Sequence, residues 1–133
     1  MLQIIAMERI SITHLDNRHN DWLRALQFYK QEITFLKNRL TEIAGRNTGQ
    51  EVSSQVEHFE NQFKIHLDQI DTIGHNIREN MHAISNEAKN SSAGYIDTNL
   101  ALKHAQLEKE FTREEDIIQD IRREFNRFSA QWL

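Results

Sequence analysis

Seven histidines stand among 133 residues, together with 20 carboxylates and no cysteine. Imidazole and carboxylate are therefore the groups whose spacing is tested first for chemistry. In di-iron helical bundles, such groups project inward from facing helices and Glu-x-x-His recurs. Glu79 and His82 stand at that spacing, while His75/Glu79 and His104/Glu108 stand four apart. One helical turn places each pair on a common face. His14, Glu79, His82, His104 and Glu108 form the one metal set worth testing. The di-iron pattern needs a second Glu-x-x-His and a fourth helix, and neither is found. The heptad pattern below also turns His75, Glu79 and His82 outward. The reading is therefore no metal and no cofactor, with that set as its alternative.

Other chemistries leave less trace. No nucleophile elbow, phosphate-binding loop, dinucleotide fingerprint or EF-hand loop occurs. No catalytic residue is assigned, and the reading is non-enzymatic. Gly45 and Gly49 flank a turn and do not resemble a phosphate cradle. The charge run from Glu108 to Asp120 reads as the solvated face of a helix.

Net charge is -4. Residues 16–45 carry five basic and four acidic groups, 50–90 three and seven, and 97–133 six and eight. Phosphate neutralisation needs a basic face, so nucleic acid is not an expected partner. The apolar stretch Met1 to Met7 is too short to span a bilayer and lacks a signal peptide's basic start. No membrane partner is expected, and a cytoplasmic location follows by default. Met7 is a candidate natural start, with residues 1–6 an extension.

These side chains must be held by helices. The chain contains no Pro and 4 Gly, and Pro breaks helix interiors. Leu15, His19, Trp22, Leu26, Tyr29, Ile33, Leu36, Leu40 and Ile43 alternate at spacings of four and three. That is a heptad seam. Thr13 or Asp16 could cap its start, and Gly45 lies where it should stop. Thr48 and Glu51 have capping-box spacing. A second seam runs through Val52, Val56, Phe59, Phe63, His66, Ile70, Ile73 and Ile77. Beyond it Asn80 keeps the heptad, but Met81, Ile84 and Ala88 suggest a local change of spacing. Residues 90–94 read as a loop, and Asp97 can cap a third helix. The third seam is Leu100, His104, Leu107, Phe111, Glu114, Ile118, Ile121, Phe125, Phe128 and Trp132.

The expectation is an all-α fold: an elongated antiparallel three-helix bundle with coiled-coil-like heptad seams. Helices are placed at about 14–45, 49–89 and 97–131. Residues 1–13 form an N-terminal segment and 14–133 a single domain. Leu2, Ile4, Ile5, Ile10 and Ile12 have no assigned place.

Constant pairing along the turns sets Leu36 with Phe59 and Phe128, and Ile33 with Phe63 and Phe125. It sets Tyr29 with His66 and Ile121, Leu26 with Ile70 and Ile118, and Trp22 with Ile73 and Glu114. His19, Trp22, Tyr29, His66 and Glu114 are the expected buried polar residues, with His104 also on a seam. Such groups need hydrogen bonds when buried. The Trp22 indole is expected to donate to Glu114, with Gly74 leaving it room, and His66 to lie near the Tyr29 hydroxyl.

Phe28 and Phe35 share a helix face outside the first seam, and Ile65 is outside the second. An aromatic stripe of this kind marks an interface. These three residues are the expected contact for a homo-oligomer, most simply a twofold dimer, or for a partner helix. The function read from this is protein interaction, with metal binding the alternative.

Trp22-Leu23, the first seam and the segment from Val56 to Phe63 together resemble small bacterial all-helical proteins of unknown function. The resemblance covers mainly residues 19–70; it implies no activity and transfers no site residue. A Trp early in the first of three long helices is also similar to spectrin-like repeats, in shape alone.

Overall fold

The computed structural model describes the backbone of residues 2–90 and 98–132, and the side chains of 14–89 and 98–132. Three helices account for almost all of it: α1 (Leu2–Arg46), α2 (Gln50–Asn90) and α3 (Thr98–Trp132). No strand occurs among the described residues. None of these helices is long and apolar enough to cross a membrane.

The helix α1 starts well before the expected residue 14. Neither Gly nor Pro interrupts the chain before Gly45, so nothing local stops the helix from extending to Leu2. Thr13 and Asp16 lie within it and are not caps. The side chains of Leu2, Ile4, Ile5, Ile10 and Ile12, the loop of residues 91–97 and the cap at Asp97 lie outside the described residues.

Asn47 closes α1. Its backbone N–H donates to the Ile43 carbonyl at 3.1 Å, and its side-chain amide donates to the same oxygen at 3.0 Å. The amide also reaches the Trp132 carbonyl at the end of α3, 3.2 Å away. Carbonyls left over at a helix end need such donors. Gly45 is the last residue but one of α1 and does not stop it. At the start of α2, Ser53 N–H donates to the Gly49 carbonyl. Gly49 thus occupies the capping position that the sequence assigned to Thr48. Glu51 in the first turn faces the positive end of the helix dipole.

By packing, the chain divides into two compact units. Unit 1 comprises Met1–Leu26 and Thr72–Thr112; unit 2 comprises Gln27–Asp71 and Arg113–Leu133. Helices of this length carry enough apolar residues to serve two cores.

In unit 1 the buried residues are Leu15, His19, Trp22, Leu26, Ile73, Ile77, Asn80, Ile84, His104, Leu107 and Phe111. Leu15 and Ile84 pack together, with Leu100 and Ala101 against them. Asn80 is buried between Ile77 and Ile84, so the spacing of four and three continues there. Met81 is only half-buried, and the expected change of spacing does not occur.

Unit 2 is richer in aromatics. Phe59, Phe63, Phe125 and Phe128 form a ring cluster with centroids 5.0 to 6.0 Å apart. Such pairs add about 0.5–1.5 kcal/mol each beyond their burial. Phe63 and Phe125 are the most deeply buried of the four. Ile33, Leu40, Ile43 and Val52 complete its fully enclosed side chains.

Candidate functional site

The buried ionisable groups of unit 2 are paired. The His66 Nδ1–H lies 3.0 and 2.8 Å from the two Glu114 carboxylate oxygens, and both residues are buried. Burial pushes the Glu114 carboxyl above its usual range, against the opposing pull of His66. Tyr29 donates its hydroxyl to Glu115. Burial, and then that bond, push the Tyr29 pKa up to about 12. Arg122 forks onto Glu32, with Nε 3.0 Å from one oxygen. That bond is the main reason its pKa is raised. Lys30 reaches Asp71 at 2.9 Å. Every one of these contacts joins two different helices.

Two expected pairings therefore change. Glu114 is bonded by His66, where the Trp22 indole was the expected donor. The Tyr29 hydroxyl goes to Glu115 and not to His66. A single pairing offset fixed at a turn does not hold along helices of this length, because each side chain also reaches up or down the axis.

Unit 1 holds its polar groups differently. The His19 Nε2–H lies 2.9 Å from Asn80 Oδ1, with both residues buried. The His19 ring also meets the buried His104 ring edge-on, centroids 4.8 Å apart. Trp22 lies against His104 at 4.8 Å and stacks with Phe111 at 5.8 Å and 24°. Three atoms of this group have no hydrogen-bond partner: His19 Nδ1, Asn80 Nδ2 and His104 Nε2. Burial lowers the pKa of His19 and brings that of His104 down to about 4, the neighbouring His19 adding to the effect. Arg18 caps the cluster. Its guanidinium lies 5.5 Å from the Trp22 ring centroid and bonds Glu108.

Gly74 does not make room for the indole. A Cβ there would meet the Arg78 guanidinium at 3.5 Å and Leu26 at 3.9 Å, which is ordinary contact.

The metal set does not assemble. His14 and His82 are exposed. Glu79 turns to His75 on the exposed face, 3.1 Å away. Glu108 is engaged by Arg18, and His104 is enclosed beside His19. Among the described residues, no three His, Asp or Glu side chains gather closely enough to hold a metal ion.

The apolar candidates are on the surface: Phe28 is 57% exposed, Phe35 61% and Ile65 54%. Glu32, which reaches α3 through Arg122, lies between Phe28 and Phe35 at helical spacings. Both rings therefore share that flank of α1. Ile65 stands a heptad after His58, whose ring lies 3.7 Å from Glu124 of α3. The two Phe lie on α1 and Ile65 on α2.

No family model matches the chain, and no curated protein or solved structure is similar enough to show kinship. The site must be read from its own geometry.

Two residues matter more than the sequence suggested. Asn80 is the partner of His19, and Glu115 is the acceptor for Tyr29. Asn80 carried a signal, since it sits on the heptad where the apolar pattern wavers. Glu115 carried none, being one of three consecutive acidic residues on α3.

Proposed function

We propose that this chain acts by protein interaction and that it self-associates through the outer face of α1. One observation carries the reading. Of its seven Phe, Phe59, Phe63, Phe111, Phe125 and Phe128 are buried, while Phe28 and Phe35 are exposed a heptad apart on one flank. A surface of this kind is read as a contact because more than half of each phenyl is left in water, where a second apolar surface would cover it. The pair is self-complementary under a twofold axis perpendicular to α1. Phe28 of one copy then meets Phe35 of the other, and the reverse contact forms with it. Ile65 is a second, separate station and is not needed for this contact.

Within each unit the helical segments are read as an antiparallel, up-down-up bundle with coiled-coil-like seams. The order of contacts supports this. In unit 2, Phe59 meets Phe128 and Phe63 meets Phe125. In unit 1, Leu15 packs with Ile84, and His19 bonds the earlier Asn80. In both cases, numbers rise on one helix as they fall on the other.

Sedimentation equilibrium tests the self-association. The chain is expected to sediment as a dimer, and Phe28→Glu/Phe35→Glu as a monomer with unchanged helical content. A wild-type monomer at high concentration, or a dimer indifferent to both substitutions, would overturn the reading.

A further inference from the structure

The side chain of His19 joins the three helical segments of unit 1 at one level. It projects from α1, bonds Asn80 of α2, and packs its ring on His104 of α3. His19 and His104 are both more than nine-tenths buried. In the neutral ring that donates to Asn80, Nδ1 is an acceptor, and it faces no donor. Protonation would turn Nδ1 into a donor with no acceptor. His104 Nε2 is equally without a partner, so a proton there would be equally stranded. A buried cation without a partner is strongly disfavoured.

We propose that this histidine pair is an acid-sensitive latch: it holds the α1, α2 and α3 segments of unit 1 together only while both rings are neutral. The surrounding charges do not rescue a protonated ring. From α1, Asp16 favours a proton on His19, whereas Arg18 and His14 oppose one on His104. From α3, Glu108 favours a proton on His104, but its carboxylate is already engaged by Arg18. From α2 the side chain in contact is the uncharged Asn80. Opening the latch frees Trp22 from between His104 and Phe111. The latch depends on unit 1 alone and is independent of the contact at Phe28 and Phe35.

The sign follows from the histidines. Their folded pKa values lie below the unfolded value of 6.5. The unfolded form therefore binds more protons, and stability is lost as pH falls from about 6.5 toward the folded values. Hydrogen exchange of the full chain from pH 7.5 to 4.5, corrected for intrinsic rates, tests this. Protection in peptides from 72–89 and 98–112 is expected to fall below pH 6.5 by up to about tenfold per pH unit for each histidine, and so by up to about a hundredfold for the pair. Peptides from 52–70 and 115–131 are expected to hold. His104→Phe keeps a ring and removes a titrating group, so it should weaken the acid loss. A second readout leaves both histidines in place. In Trp132→Phe, where Trp22 is the remaining Trp, its emission should shift on acidification before the helical signal falls. Equal loss in both sets of peptides would overturn the latch. So would protection that stays flat to pH 4.5, or an emission shift that only accompanies unfolding.

Discussion

The two units use histidine in opposite ways. In unit 2, His66 faces a carboxylate, and the same unit holds a cluster of four phenyl rings. In unit 1, His19 and His104 face an amide and each other, and three polar atoms go unpaired. Sequence periodicity treats these histidines alike, since each takes a seam position. What separates them is the neighbour supplied from another helix. A carboxylate completes one core, and its lack leaves the other conditional on pH.

The largest expected effect comes from the ring cluster. Phe125→Ala should cost about 3–5 kcal/mol in chemical denaturation, as large-to-small changes in a tight core do. A loss below about 1 kcal/mol would mean that the rings are not packed as described.

Breaking the polar pairs distinguishes the units next. Glu114→Leu leaves the His66 N–H buried without its acceptor and should cost about 3 kcal/mol. Asn80→Leu also strands a buried N–H, that of His19, but it removes the unpaired Asn80 Nδ2 at the same time, so its cost should be smaller, about 1–2 kcal/mol. Equal costs would erase the contrast.

The pH dependence carries the same contrast with opposite signs. Burial raises the folded carboxyl of Glu114 above its ordinary value of 4.5. The folded form then binds more protons than the unfolded one just above pH 4.5, so acidification adds stability in that window. His19 and His104 subtract stability over a window that begins at 6.5. Glu114→Gln should therefore steepen the acid loss of the whole chain in urea titrations between pH 7 and 4.5. A shallower slope would contradict the assignment.

The smallest effect is a gain. Gly74→Ala meets only ordinary contacts and should raise stability by about 1 kcal/mol through helix propensity. A loss would indicate a clash with Arg78 or Leu26.

The residues that face inward were legible from spacing. Leu15 to Ile43, Val52 to Ile77 and His104 to Phe128 are buried where four-three alternation placed them. The Phe59–Phe128 and Phe63–Phe125 pairs were legible too, being close to the chain end that anchors α3 on Asn47. Partners farther along were not. Periodicity gives the inward side of each helix but not the axial offset between helices. Glu114 therefore went to His66, and Asn80 to His19. The start of α1 was missed because an apolar segment without Gly or Pro gives no stop signal.

The absence of Cys makes the proposed contact directly testable. Two single-Cys chains, Phe28→Cys and Phe35→Cys, are oxidised separately and as a mixture. Twofold pairing of α1 sets position 28 of one copy against position 35 of the other. A disulfide-linked dimer should therefore form on mixing and be scarce in either sample alone. Equal cross-linking in all three samples, or none in the mixture, would contradict the proposed contact.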